Sequence, residues 1–133
     1  MRRLVEGART ATWVAEEDGR MAGFAIVEWK VESDEAFAYI QTIEVAPSQR
    51  RRGVGDELLR RIESSAQAAG ATEIWLHVDA QNDAAIRLYR AHGYQLAGRE
   101  EHYYAHGCAA EIYCKSFAAV QASEPLQPRI NET

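Results

Sequence analysis

The run Gln49-Arg50-Arg51-Arg52-Gly53-Val54-Gly55 sets guanidinium groups, bare backbone and the start of a helical pattern side by side. Each ingredient binds anions for its own reason. A helix N-terminus presents N–H groups without intrahelical partners and the positive end of the helix dipole. Glycine lets a phosphate come close to that backbone. Arginine adds charge and a fork of donors that matches phosphate oxygens. The ligand this combination suits is a phosphate or pyrophosphate. A nucleotide-hydrolysing loop would need a Gly-Lys-Ser/Thr ending, and neither that lysine nor that hydroxyl is present. A dinucleotide fingerprint would need a further glycine where Leu58 stands. Taken alone, the motif is also compatible with a solvated basic turn that caps a surface helix.

Other side chains able to do chemistry are sparse. In the strand-like run Thr72–Ala80, Ile74, Leu76 and Val78 share one face, and Trp75, His77 and Asp79 share the other. An imidazole can accept a proton near neutral pH, and Asp79 is placed to tune it. The plainer reading of His77 is a structural histidine on a partly buried strand face. His102 and His106 are four apart but straddle a turn and lack a carboxylate at a useful offset, so no metal site is expected. Cys108 and Cys114 have neither metal-ligand nor redox spacing and read as reduced thiols, as in a cytoplasmic protein.

The elements that must position these groups follow from periodicity. Thr12–Glu16 and Met21–Lys30 read as a hairpin around turn residues Glu17–Arg20. After the polar link Glu32–Glu35, Ala36–Pro47 is a third strand that proline ends. The period then changes: Val54, Leu58, Leu59, Ile62 and Ala66 fall on one helical face, and Gly70 terminates it. The strand Thr72–Ala80 follows, which makes a parallel crossover with Ala36–Pro47. Asn82 is a good cap for a helix that Gly93 closes. Tyr94–Tyr104 and Ala109–Phe117 read as two final strands joined at His106-Gly107. Residues 118–133 turn small and polar and are expected to form a mobile tail behind a single domain of residues 1–117. The expected fold is mixed α+β in the order β-β-β-α-β-α-β-β.

Bulk properties narrow the classes. A chain of 133 residues supports one domain with one modest core. A net charge of −5 argues against nucleic acid as the main partner, although Arg50, Arg51 and Arg52 form a local basic patch. No apolar run approaches the ~20 residues of a membrane span, and no signal-peptide pattern opens the chain. The expectation is a cytoplasmic protein with no membrane partner.

The order of motifs adds a specific resemblance. A strand ending Ile-Glu-Val-Ala-Pro runs into Arg-Arg-Arg-Gly-Val-Gly. The strand Ile74–Val78 and then Asn-Asp-Ala-Ala-Ile-Arg-Leu-Tyr, Asn82–Tyr89, follow. Over roughly Thr12–Phe117 this resembles the GNAT superfamily of N-acetyltransferases, most of all its bacterial ribosomal-protein-alanine branch. The resemblance implies acetyl-CoA as cosubstrate, no metal, and an amine acceptor, either a protein N-terminus or a small molecule. It implies a sheet splayed between two parallel strands, here Ala36–Val45 and Thr72–Val78. Pantetheine would lie in that gap against the backbone of Ile43 and Val45, whose N–H would polarise the thioester carbonyl. Arg50, Arg51, Arg52, Gly53, Val54 and Gly55 would hold the pyrophosphate. Asn82 would cap its helix and touch the cofactor. Tyr89 takes the position of the general acid that protonates the leaving thiolate; the plainer alternative is a core tyrosine beside Ala85 and Ile86. Tyr103 and Tyr104 fall where related enzymes line the acceptor groove, or form a strand with one buried and one exposed ring.

Two departures stand out. His77 occupies a strand position usually held by glutamate in that branch, so the base could be His77, Glu44 or water. Only Met1–Ala11 precedes the first hairpin, too little for the usual strand and two helices that wall the acceptor site. The groove is then open, completed by a second copy in a homodimer, or cut away. The functions left standing are an N-acetyltransferase, a non-catalytic acyl-CoA-binding or sensing module, and a phosphate- or nucleotide-binding interaction domain.

Overall fold

The computed structural model describes residues 2–7, 9–105 and 107–117, the first of these segments by its backbone. The elements are β1 (Arg2–Gly7), β2 (Thr10–Glu17), β3 (Arg20–Glu32), β4 (Glu35–Val45), a short 3-10 turn (Pro47–Gln49), α1 (Val54–Ala68), β5 (Ala71–Asp79), α2 (Asp83–Ala91), β6 (Gln95–Glu100) and β7 (Ala110–Ser116). The strands form one sheet in the order β1-β2-β3-β4-β5-β7-β6. Every neighbouring pair is antiparallel except β4 and β5. The mixed α+β plan expected from the sequence is the fold.

Local chemistry accounts for the turns. Asp18 (φ 53°) with Gly19 (φ 76°), and Ser33 (φ 51°) with Asp34 (φ 69°), put two successive residues in the left-handed region. That geometry matches the twist of the flanking strands and suits Asp and Gly. Helix α1 buries Leu58, Leu59, Ile62 and Ala66 completely. It lies against β2, β3, β4 and β5, where Ala11, Ala25 and Ala38 are buried and small enough to let the helix approach. Ile40, Ile74, Leu76 and Val78 complete this core face. Trp13 joins it by donating its indole N–H to Ser65 Oγ at 2.8 Å. The other face of the sheet has no helix over it among the described residues.

Three expectations are corrected. First, a strand does precede the first hairpin: Arg2–Gly7 pairs with Thr10–Val14 of β2. No helix precedes it among the described residues. A six-residue strand needs far less sequence than two helices. Second, β6 stops at Glu100, so Tyr103 and Tyr104 lie in the β6–β7 loop, not in a strand. The left-handed His102 (φ 55°) breaks the extended run there. Third, the connection between β6 and β7 is longer than a turn at His106-Gly107, because β6 ends at Glu100; β7 begins at Ala110, within one residue of the expected start. His106 and the tail 118–133 lie outside the described residues.

The feature that makes a site is the limited pairing of β4 with β5. Their parallel register runs from Ala36↔Ala71 to Ile40↔Leu76 and stops. β4 continues to Val45 and β5 to Asp79, so the strands part company into a cleft. The parting coincides with a β-bulge: Val27 pairs Ile40 but Ile26 pairs Thr42, leaving Gln41 as an extra residue on β4. Bulges bend the strand that carries them.

Candidate functional site

Beyond Gln41, one edge of β4 is bonded to β3 and the other is open. Ala46 N–H donates to Ala22 O at 2.8 Å, so residue 46 turns its N–H toward β3. Alternation along the strand then turns the peptide groups of Val45 and Ile43 toward the cleft. The carbonyl of Val45 is met there by Arg50 Nε at 3.4 Å. The close approach of β3 beneath this edge depends on Gly23. A Cβ at Gly23 would lie 2.5 Å from the Glu44 carbonyl oxygen.

The basic loop closes the end of the cleft. Arg51 (φ 66°) and Gly53 (φ 80°) both take left-handed backbone, which turns the chain from the 3-10 turn into α1. Gly53 is the N-cap and no side chain caps the helix. The first intrahelical bond runs from Glu57 N–H to Gly53 O at 3.0 Å, so the N–H groups of Val54, Gly55 and Asp56 have no acceptor within the helix. A Cβ at Gly55 would come 3.4 Å from Leu88 of α2, so this position is tight on the α2 side. Arg50, Arg51 and Arg52 are all exposed at the mouth. The acids of this turn are already engaged: Glu57 with Arg60 and Arg61, and Asp56 Oδ1 with His92 Nε2 at 2.7 Å. Free donors, a capless N-terminus and compensated acids fit a pyrophosphate.

Helix α2 forms the cleft's second support. Asn82 Oδ1 accepts from Ala85 N–H at 3.2 Å, the cap expected from the sequence. Tyr89 is buried, with 6% of its surface exposed, and its ring lies 5.6 Å from that of Tyr94. Burial pushes the Tyr89 phenol up to about 12, with the Glu44 carboxylate and Tyr104 adding to it. Tyr89 is thus a neutral donor at physiological pH. The β4 end, the loop and α2 meet here: a Cβ at Gly55 would lie 3.4 Å from Leu88 and 3.9 Å from Val45, and Glu44 acts on Tyr89, while Asn82 is placed by its capping bond alone.

On the helix-free face the cleft opens beside His77. The expected partner was Asp79, and the structure corrects this. His77 Nε2 is 2.7 Å from Glu100 Oε1, at the end of β6. His77 Nδ1 is 2.8 Å from the Tyr39 hydroxyl, on β4. Tyr103 stacks on the imidazole at 4.7 Å with a 12° interplanar angle, and Tyr104 meets Tyr103 edge-on. Burial, then Tyr103 and Tyr104, push the Tyr39 phenol up to about 12. Strand arithmetic could not supply Glu100, because β7 inserts between β5 and β6. Nor could it supply Tyr39, which reaches His77 only in the parallel register that pairs Tyr39 with Trp75. Because of the bulge, Thr42 and Glu44 sit opposite Ile26 and Phe24, on the face that also carries Glu28 and Tyr39. Glu44 therefore shares the helix-free face with Tyr39, where it accepts from Thr42 Oγ1 at 2.9 Å.

The remaining candidates stay apart. His102 is exposed on the loop. Burial, then Glu73, raise the Cys114 thiol to about 11, so it is no ready nucleophile. Among the described residues no cluster of His, Cys, Asp and Glu could hold a metal, and no helix is long and apolar enough to cross a membrane.

A splayed parallel pair with a glycine-arginine loop at its end defines a class, and the comparisons agree. Residues 2–94 match the Acetyltransferase (GNAT) family, and the chain belongs to it. It is 37% identical over 107 residues to streptothricin acetyltransferase of Streptomyces lavendulae, covering 80% of this chain and 55% of that one. It is 35% identical over 99 residues to the [ribosomal protein bS18]-alanine N-acetyltransferase of Escherichia coli (strain K12), covering 74% and 64%. The chain thus spans little more than half to about two thirds of these relatives' length. The crystal structure of the Escherichia coli ribosomal-protein-S18-alanine N-acetyltransferase superposes with a TM-score of 0.71 at 32% identity, covering 84% of this chain and 71% of that one. Arabidopsis thaliana NAA60 in complex with acetyl-CoA shares the fold, with a TM-score of 0.74 at 20% identity over 84% and 78% of the chains.

Proposed function

We propose that this chain is an acetyl-CoA-dependent N-acetyltransferase acting on a primary amine, a protein N-terminus or a small molecule, by direct attack on the thioester. The observation that carries this reading is the cleft itself. A neutral buried phenol, Tyr89, borders it, and a hydrogen-bonded Tyr39–His77 pair lies on its helix-free side.

The roles follow from chemistry. Acetyl-CoA supplies an acetyl group activated as a thioester. The N–H groups of Val54, Gly55 and Asp56, with Arg50, Arg51 and Arg52, hold its pyrophosphate, and Asn82 lies within reach of its chain. Ile43 and Val45 offer cleft-facing peptide groups to pantetheine, and the Val45 N–H polarises the carbonyl. The acceptor arrives over the helix-free face, where Glu28 and Glu44 favour an ammonium ion, which sheds one proton to solvent to become the attacking neutral amine. Tyr39 and His77 accept the proton the amine gives up as its nitrogen bonds to the carbonyl carbon. As the C–S bond breaks, Tyr89 gives its proton to the thiolate and regains one from solvent. A second copy covering the helix-free face belongs to the same proposal, and elution as a compact monomer at every concentration would remove that part.

The decisive assay follows thiol release from acetyl-CoA with a panel of amines and N-terminal peptides. Tyr89→Phe should lower kcat by about a hundredfold, the lower end of what a positioned acid contributes, with little change in the KM for acetyl-CoA. The helix-free face, with no wall among the described residues, favours a second reading, a non-catalytic acyl-CoA-binding module. Tight CoA binding without turnover on any acceptor would select it.

A further inference from the structure

We propose that Glu100 is a positioning residue that fixes the tautomer of His77, so that Nδ1 is the nitrogen that takes up the proton released by Tyr39. The inference rests on reading His77 as the base, and it adds a residue to that machinery and a direction to the proton's path.

A neutral imidazole carries one proton on two nitrogens, and here both nitrogens are committed. Nε2 faces a Glu100 oxygen at 2.7 Å, and an ionised carboxylate can only accept. The proton therefore resides on Nε2. Nδ1 is left with its lone pair, 2.8 Å from a hydroxyl that must then donate. The Tyr39 oxygen also has hydrogen-bond contacts with the His77 backbone and the Tyr103 side chain, and its remaining lone-pair capacity is what an incoming N–H would meet. The stacked Tyr103 ring holds the imidazole plane so that both contacts persist. Glu100 reaches His77 across β7, where Ala110 is the residue paired with both Glu100 and Asp79 and offers little bulk to block it.

The sequence of transfers balances. The amine nitrogen bonds to the carbonyl carbon and passes its proton to the Tyr39 oxygen. Tyr39 passes its own phenolic proton to His77 Nδ1. The resulting imidazolium keeps its Nε2–H against the Glu100 carboxylate, whose charge offsets the new positive charge. Asp79, on the same strand face, is not hydrogen-bonded to the ring.

The test reads the tautomer directly and does not depend on turnover. In the intact 133-residue chain, long-range 15N–1H correlation spectra of the His77 ring should show the Nε2–H form in the wild type and in Glu100→Gln, whose amide oxygen can still accept. Glu100→Leu should lose that preference. In the acetyl-CoA assay, Glu100→Leu should lower kcat about tenfold or more, with the KM for acetyl-CoA unchanged, and Glu100→Gln should recover much of the loss. An Nδ1–H form in the wild type overturns the proposal, as does a Glu100→Leu variant with wild-type tautomer and kcat. Glu100 is about half exposed on an edge strand, so these substitutions leave the core intact. If His77→Asn and Tyr39→Phe keep full kcat, the reading of the base fails, and the tautomer result still stands or falls separately.

Discussion

At the scale of single residues, the phenols of the cleft are held neutral by burial, and this has a consequence for stability. Tyr39 and Tyr89 titrate near 12 in the folded chain and near 10 when unfolded. Below pH 10 both states hold these protons and the native contacts contribute fully. Between about pH 10 and 12 the unfolded chain releases protons that the native chain keeps, so stability falls as pH rises. Urea midpoints measured from pH 9 to 11 should drop, and the double variant Tyr39→Phe, Tyr89→Phe should flatten the slope. Tyr89 was legible in the sequence because it ends a recognisable Asn82–Tyr89 run. Tyr39 and Glu100 were not, because their value depends on strand register and on β7 being inserted out of sequence order. Asp79 was the natural guess for His77's partner, since alternation along one strand is all that a sequence displays.

At the scale of elements, the site depends on helix starts and one close strand contact. Asn82→Ala removes the acceptor for Ala85 N–H and should cost about 1 kcal/mol in a denaturation curve. Gly23→Val should do far more. Its side chain would drive into the Glu44 carbonyl and push β4 toward the cleft, so both thermal stability and CoA binding should collapse. Most elements were visible beforehand. Periodicity located α1, the Asn82 cap and Gly93 located α2, and turn residues located the β2–β3 and β3–β4 connections. The β6–β7 loop was hidden because Tyr103 and Tyr104 have the composition of a strand, and only the left-handed His102 shows that the chain leaves the sheet before them.

At the scale of the whole molecule, the proposed function has a chain of net charge −5 receive an anionic cosubstrate at the basic patch Arg50–Arg52. Local attraction should win at the short range where binding occurs. CoA affinity should therefore weaken as salt rises from about 50 to 500 mM, because the Debye length, about 10 Å at 0.1 M, shrinks toward about 3 Å at 1 M and screens all but the closest charge pairs. Calorimetry would read this, and an Arg50→Ala, Arg52→Ala variant should lose much of the salt dependence. The fold class was legible because the order of motifs constrains it, whereas the opening between β4 and β5 depends on a single surplus residue. Gln41 acts as a change of parity in β4. Before it, even-numbered residues face the helices; after it, odd-numbered ones do. No substitution along the strand can restore the original count, but deleting one residue can. A chain lacking Gln41 would face a choice between turning Ile43 and Val45 away from the core and sliding the strand against β3. Insertions and deletions here should thus be far less tolerated than any exchange of side chains, which makes length, more than composition, the inherited quantity at this point of the sheet.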